Sequence, residues 1–253
     1  MEIYSGMVHK YIDAKGGIES LKNKTIQFNK ASSTNDPFEC YEGLIDIEDI
    51  NEYAKHLLKL RYGNPTIRQL RKQVPVIVAN YKKYGTEEVF ERQRKNINIA
   101  SFSKRNDSSL MWSYYADSHK GISIGYLIEG YLQFGNISAT FLAVNYMKEI
   151  EMIYYKPNNY KSLLTWASTK SYDWNHEEEV RLLYISEEEE FKTRLNYPTK
   201  ILKKITFGLN TSEEDINHIL KIIDSEYSNN DIEVKELVIG KEIFTVEEIP
   251  FER

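Results

Sequence analysis

With one cysteine, Cys40, in 253 residues, the chain has no intramolecular disulfide to staple it, and a reducing cytoplasm is its natural setting. Long hydrophobic runs are missing: the stretch from Val74 to Ala79 is broken by Pro75 and falls far short of the roughly 20 residues that cross a bilayer. The start, MEIYSGMVHKY, lacks the charged-then-apolar pattern of a secretory signal. There is no phosphate-loop motif, no dinucleotide glycine fingerprint, no Cys-x-x-Cys and no His-Glu-x-x-His. The five histidines, at 9, 56, 119, 176 and 218, are too scattered for a metal centre or a triad to be read from spacing. Nor does one sign of charge dominate. The 33 Lys and Arg against 38 Asp and Glu give −5, which argues against a generalised phosphate-binding surface and leaves room for a local one.

What is present is a globular composition. Hydrophobic residues make up 41% and aromatics 13%, enough for a sizeable core and incompatible with low-complexity disorder. One domain over 1–253 is expected, with a helical insertion at 48–95. Alternating apolar positions predict strands at Ile3 to Tyr11, Thr25 to Phe28, Ile97 to Ser103 and Ile122 to Leu127. Further strands are expected at Ala139 to Tyr146, Glu179 to Ser186, Ile201 to Phe207 and Glu233 to Ile239. Helical spacing predicts helices at Gly17 to Leu21, at Leu110 to Ala116 behind an Asn106-Asp107 cap with Gly121 as the stop, and at Glu213 to Ile223 behind Thr211 or Ser212. Asp36-Pro37-Phe38-Glu39 has the residues of a capping box and predicts a helix start. Strands and helices mix without a regular repeat, so the fold class is α+β: a mixed, mostly antiparallel sheet, intact or split, with flanking helices.

Within the insertion, residues 61 to 95 hold nine Lys and Arg against three Glu, a local +6 that leaves −11 for the rest. This is either a solvated helical face, the weightier reading, or a nucleic-acid footprint that would include Arg68, Arg71, Lys82 and Lys83.

Two other segments carry chemistry. In Trp174-Asn-His-Glu177-Glu-Glu179-Val-Arg181 a strand would put Glu177, Glu179 and Arg181 on one face, roughly 6 to 7 Å between neighbours. A guanidinium there can hold one carboxylate ionised and leave the other to a substrate. In Leu110 to Asp117, the rings of Trp112, Tyr114 and Tyr115 fall on about one helical turn, where they either stack on a flat heteroaromatic ligand or pack as core. His9 and Tyr11 on the early strand can bond ribose hydroxyls. Cys40, beside Glu39 and without a local activator, reads as a buried, inert thiol.

These segments together resemble the bacterial family named domain of unknown function 2971, which includes proteins near the AbiGi abortive-infection group. The likeness rests on Val8-His9-Lys10-Tyr11, Asn35-Asp36-Pro37-Phe38-Glu39, Ser101-Phe102-Ser103, Met111-Trp112-Ser113-Tyr114-Tyr115-Ala116 with His119-Lys120-Gly121, and Trp174-x-x-Glu177-x-Glu179-x-Arg181. More distantly, the order early-strand His, middle Tyr, late-strand Glu is similar to that of ADP-ribosyltransferases. That resemblance implies NAD as cofactor, His9 on a ribose, Tyr114 or Tyr115 on nicotinamide, Glu179 as the catalytic acid and Glu177 as the residue that orients the acceptor. Tyr11, Asn35, Ser103 and Trp112 would complete the cofactor site. The implied setting is phage defence or a toxin-antitoxin system, with a nucleic acid or protein acceptor and an antitoxin or defence partner. Two alternatives stand beside it: a nucleotide-sensing module without turnover, and a nuclease using Mg²⁺ on Glu177, Glu179 and Asp36.

Overall fold

The computed structural model describes residues 2–33, 36–85, 87–157, 159–186, 193–241 and 244–252. In chain order the first half gives β1 (Glu2–Ile3), β2 (Ser5–Ile12), α1 (Ala14–Asn23), β3 (Thr25–Gln27), β4 (Asn29–Lys30) and β5 (Ile45–Ile47). Three helices follow, α2 (Ile50–Tyr62), α3 (Ile67–Tyr84) and α4 (Glu87–Asn96), then β6 (Ile97–Ser103), α5 (Ser109–Tyr115) and β7 (Ile122–Glu129). The second half gives β8 (Tyr131–Phe134), β9 (Ile137–Ala143), β10 (Asn145–Met147), β11 (Ile153–Tyr155), α6 (Tyr160–Ala167) and β12 (Thr169–Ser171). It closes with β13 (Glu179–Ile185), β14 (Arg194–Asn196), β15 (Leu202–Phe207), α7 (Glu213–Glu226), β16 (Glu233–Ile239) and β17 (Val246–Pro250).

The main sheet has the order β1-β9-β13-β6-β2-β7-β15-β16-β17, antiparallel except for the β15–β16 pair. The expected α+β class with a mixed, mostly antiparallel sheet and flanking helices holds. One joint is weak. β6 pairs with β13 along its whole length, but meets β2 only at Ser103 opposite His9, while its far end is taken by β4 at Ile99 and Asn98. The sheet therefore opens between β2 and β6.

Period-2 alternation sorts the side chains. Val8, Ala100, Phe102, Ile124, Tyr126, Val180 and Leu182 enter one core, covered by α1 through Leu21 and by α7 through Ile219, Ile222 and Ile223. On the opposite face Ile97, Ile99, Leu142 and Leu183 pack with Tyr53 of α2, Phe90 of α4 and Trp166 of α6. On that same face, at the β2 side, Tyr11 packs with Met111 and Trp112 of α5. Between these two apolar patches lies a polar strip, and the opening falls within it.

Four local expectations are corrected. Residues 37–40 form a turn and not a helix: Asp36 Oδ1 accepts the Phe38 N–H at 2.9 Å, and Cys40 at φ 47° leaves the right-handed region at once. The cap of α5 is Ser108, whose hydroxyl accepts the Met111 N–H, because Asn106 is turned to Thr206 and Glu248. Gly121 does not stop α5. Asp117, Ser118 and His119 carry the left-handed exit, and Gly121 is needed because a Cβ there would stand 2.1 Å from the Ile12 carbonyl oxygen. The expected strand Ala139 to Tyr146 is two strands, β9 and β10. No described helix is long and apolar enough to cross a membrane.

Candidate functional site

A cavity of about 370 Å³ fills the opening between β2 and β6. Its walls come from His9, Lys10 and Tyr11 on β2, Ser101 to Ser103 on β6, Met111 and Tyr115 on α5, and Lys170, Glu177 and Glu179 opposite them. Glu39, Asn29 and Ser33 complete it. Residues more than a hundred apart in sequence meet here because α5 crosses the strip from one side while the β12 to β13 connection crosses from the other.

Five charged side chains form its floor. Arg181, only 1% exposed, lies flat between two carboxylates: Nη1 and Nη2 donate to Glu39 at 2.5 and 2.7 Å, and Nε and Nη2 donate to Glu179 at 3.0 Å each. Its Nη1 also donates to the Ala167 carbonyl. Lys170 Nζ then bridges Glu177 Oε2 at 2.5 Å and Glu179 Oε2 at 3.1 Å, over the face of Trp174. The Tyr115 hydroxyl donates to Glu177 Oε1 at 2.6 Å, and the Tyr146 hydroxyl accepts the Glu179 N–H. All three carboxylates are at most 4% exposed, so each ion is held by partners that replace water. Burial favours neutral carboxyls, yet the adjacent Arg181 and Lys170 hold Glu179 well below the usual carboxylate range. At Glu39, burial outweighs the guanidinium and pushes the carboxyl up. Three acids against Arg181 and Lys170 leave one excess negative charge in the cluster.

Lys10 is the remaining cation on the cavity wall. Its Nζ donates to the Ser101 carbonyl and rests over Phe102, with no ion pair among the described residues, and burial lowers it to about 8. Opposite, His9 is 6% exposed, with Nδ1 buried and unpartnered beside Gly125. Burial, with Lys204 close by, lowers its imidazole to about 4 and keeps it neutral.

The sequence-derived candidates divide. His9, Tyr11, Ser103, Tyr115, Glu177 and Glu179 all line the cavity. Arg181 lies beneath it as the clamp. Glu177 is not on the strand: it ends the 3₁₀ turn Tyr172–Glu177, and Glu178 at φ 42° reverses the backbone before β13. The pair therefore converges across a bend instead of along one strand face. Tyr114 is 63% exposed and lies outside the cavity. Trp112 is fully buried, its Nε1–H donating to the Asn106 carbonyl and its ring edge-on to Tyr11, so it is core and cannot stack on a ligand. The Tyr11 hydroxyl is bound to the Arg105 carbonyl, and the Ser103 hydroxyl to the Glu177 carbonyl. Asn35 lies outside the described residues. Arg68, Arg71, Lys82 and Lys83 are all exposed on α3 and do not line this cavity.

Lys170 and Glu39 were not foreseen. Lys170 stands between Glu177 and Glu179, where the Mg²⁺ reading would put its cation, and Asp36 is engaged with the backbone of its own turn. Among the described residues no group of three or more His, Cys, Asp or Glu is placed to hold a metal ion. Cys40 is fully buried, and burial pushes its thiol up. Comparison with family models, curated proteins and solved structures finds no match to this chain.

Proposed function

We propose that the cleft binds NAD and transfers its ADP-ribose to a nucleic acid or protein acceptor, in the reducing cytoplasm and in a defence or toxin-antitoxin role. The observation that carries this reading is the meeting of His9, Tyr115 and the Glu177/Glu179 pair at one cavity where the sheet opens. The residues suit such a substrate. A cavity of about 370 Å³ is of ligand size, neutral His9 can bond a ribose hydroxyl, and Lys10, free of any ion pair among the described residues, can take a phosphate. In the transfer, the bond from the ribose C1′ to the pyridinium nitrogen breaks with the electron pair going to nitrogen. C1′ bonds the acceptor nucleophile, and the acceptor's proton leaves to a base.

Positive charge develops on the sugar in that step, and a fixed, ionised carboxylate stabilises it more in the transition state than in the ground state. Glu179, kept ionised by Arg181 and Lys170, has that property. Glu177, oriented by Tyr115, is the base for the acceptor.

The second reading, ligand recognition without turnover, is favoured by one fact: every oxygen of Glu39, Glu177 and Glu179 already accepts a hydrogen bond from Arg181, Lys170 or Tyr115. Nicotinamide release from NAD, with total cell nucleic acid and protein as acceptors, separates the two. Wild-type protein should release nicotinamide, Glu179→Gln should lose about two orders of magnitude, and Tyr115→Phe should lose roughly tenfold, about 1.4 kcal/mol. NAD binding without release in any acceptor mixture selects the recognition reading, and absence of NAD binding by folded wild-type protein removes the transferase reading and leaves recognition of another nucleotide ahead.

A further inference from the structure

α3 is an 18-residue helix with no buried residue, and it carries Arg68, Arg71, Lys72, Lys82 and Lys83 with no Asp or Glu. Its half-buried positions, 69, 70, 73, 74, 77, 78 and 81, recur every three or four residues. They turn toward α2, where Gln73 bonds the Tyr62 hydroxyl and Tyr81 meets Tyr53 ring to ring at 6.0 Å. At about 100° per residue, the five cations fall within an arc of about 120°, directly opposite that stripe. Between them on the same arc lie only the exposed Pro75 and Ala79, so the face is flat and strongly basic. From Arg68 to Lys83 it extends for about 22 Å.

None of the five makes an ion pair among the described residues, although the chain as a whole has net charge −5. Elsewhere some exposed lysines find acidic partners, as Lys55 finds Glu52, Lys95 finds Glu91 and Lys156 finds Glu48, and others such as Lys22 and Lys59 stand singly without one among the described residues; α3 differs in gathering five on one face. On α3 no acid is supplied. The exposed carboxylates that would neutralise this face are absent from its own helix, and its large apolar side chains lie on the α2 side or at the margins of the arc.

We propose that this face of α3 binds the phosphate backbone of a nucleic acid. Charge complementarity selects the partner: an unpaired row of guanidinium and ammonium groups matches a polyanion, and nucleic acid presents phosphates at close, regular spacing along its length. An anionic membrane surface fits less well, because membrane-lying helices insert one continuous apolar face next to their cations, whereas here Pro75 and Ala79 lie among the cations and the exposed Ile67, Val76 and Tyr84 are scattered outside the arc at separate angles. Contacts of this kind carry affinity without base sequence. The surface lies outside the cleft and does not depend on the transferase reading.

The test uses the full chain, a labelled duplex DNA and a labelled single-stranded RNA of equal length, with binding followed from about 50 to about 200 mM salt. If all five cations engage phosphates, log K against log [salt] for the duplex has a slope of about −4.5, or about −3.5 for the single strand. Lys83→Gln should flatten the duplex slope by about 0.9, and the variant with Gln at all five positions should abolish the salt-dependent binding. All five positions are exposed, so circular dichroism and the unfolding midpoint should match wild type. Lys22→Gln with Lys221→Gln, exposed cations on other helices, should leave the slope unchanged. Failure of the wild type to bind either probe, an unchanged slope in the five-position variant, or binding to phosphatidylserine vesicles with none to nucleic acid would each overturn the proposal.

Discussion

The cleft floor and the outer face of α3 each collect five charged side chains, and they obey opposite rules. In the cleft, Glu39, Lys170, Glu177, Glu179 and Arg181 are nearly removed from water, so every charge must be matched by an opposite one at hydrogen-bond distance. The geometry is consequently fixed by hydrogen-bonded partners from chain segments far apart in sequence. On α3 water solvates the cations, nothing constrains their partners, and like charges sit side by side at little expense. A buried charge set specifies a site. An exposed one specifies only a class of partner, and its effects fade with salt.

The sharpest way to break that contrast is Arg181→Met. It leaves Glu39 and Glu179 buried without their guanidinium, which costs about 3 to 5 kcal/mol. For a chain of this size that lowers Tm by roughly 6 to 20 °C. Calorimetry on Arg181→Met and on Glu39→Gln/Arg181→Met provides the check, since the double variant removes one stranded carboxylate and should recover part of the loss. A single-variant change of under 2 °C would mean that the cluster is wetter and looser than its geometry.

His9 tests the same rule from the other side, as a buried group that meets burial by staying neutral. Its imidazole is lowered from about 6.5 to about 4, so between those values the unfolded chain binds a proton that the folded chain refuses. Stability therefore rises with pH across that window and is lost as pH falls through it. The contribution is at most about 3 kcal/mol. Urea unfolding of wild type and His9→Gln near pH 4 and near pH 7 should show a smaller acid loss in the variant. Equal losses would assign the acid sensitivity to the carboxylates instead.

How much of this was legible in the sequence follows the same division. Alternation gave β6 and β16 to the residue, because a strand with two different faces writes its period into the chain. It also put Glu179 and Arg181 on one face. It did not give Glu177, because the left-handed Glu178 interrupts the period just where the site is built. Lys170 sits on a three-residue strand too short to leave a pattern, and Glu39 reaches Arg181 across 142 positions from a turn that looked like a helix start. The aromatic run in α5 was visible, but its division into core Trp112, cavity Tyr115 and solvent Tyr114 depends on which way the helix lies on the sheet. The charge excess of α3 needed no such context, since net charge adds along a segment whatever its neighbours do.

On α3 the comparison predicts a change that stabilises the fold while it weakens binding. Arg68 is the second residue of the helix after the Thr66 cap, in the turn where the free N–H groups and the helix dipole disfavour positive charge. Arg68→Glu replaces an unfavourable charge with a favourable one at an exposed position, worth about 0.3 to 1 kcal/mol at low salt. Thermal unfolding at low ionic strength should show a small rise in Tm that disappears as salt is added. The same variant should lose affinity for the duplex and flatten its salt slope by at least about 0.9. If instead Tm falls, Arg68 makes a contact that holds α3 in place, and its charge is structural after all.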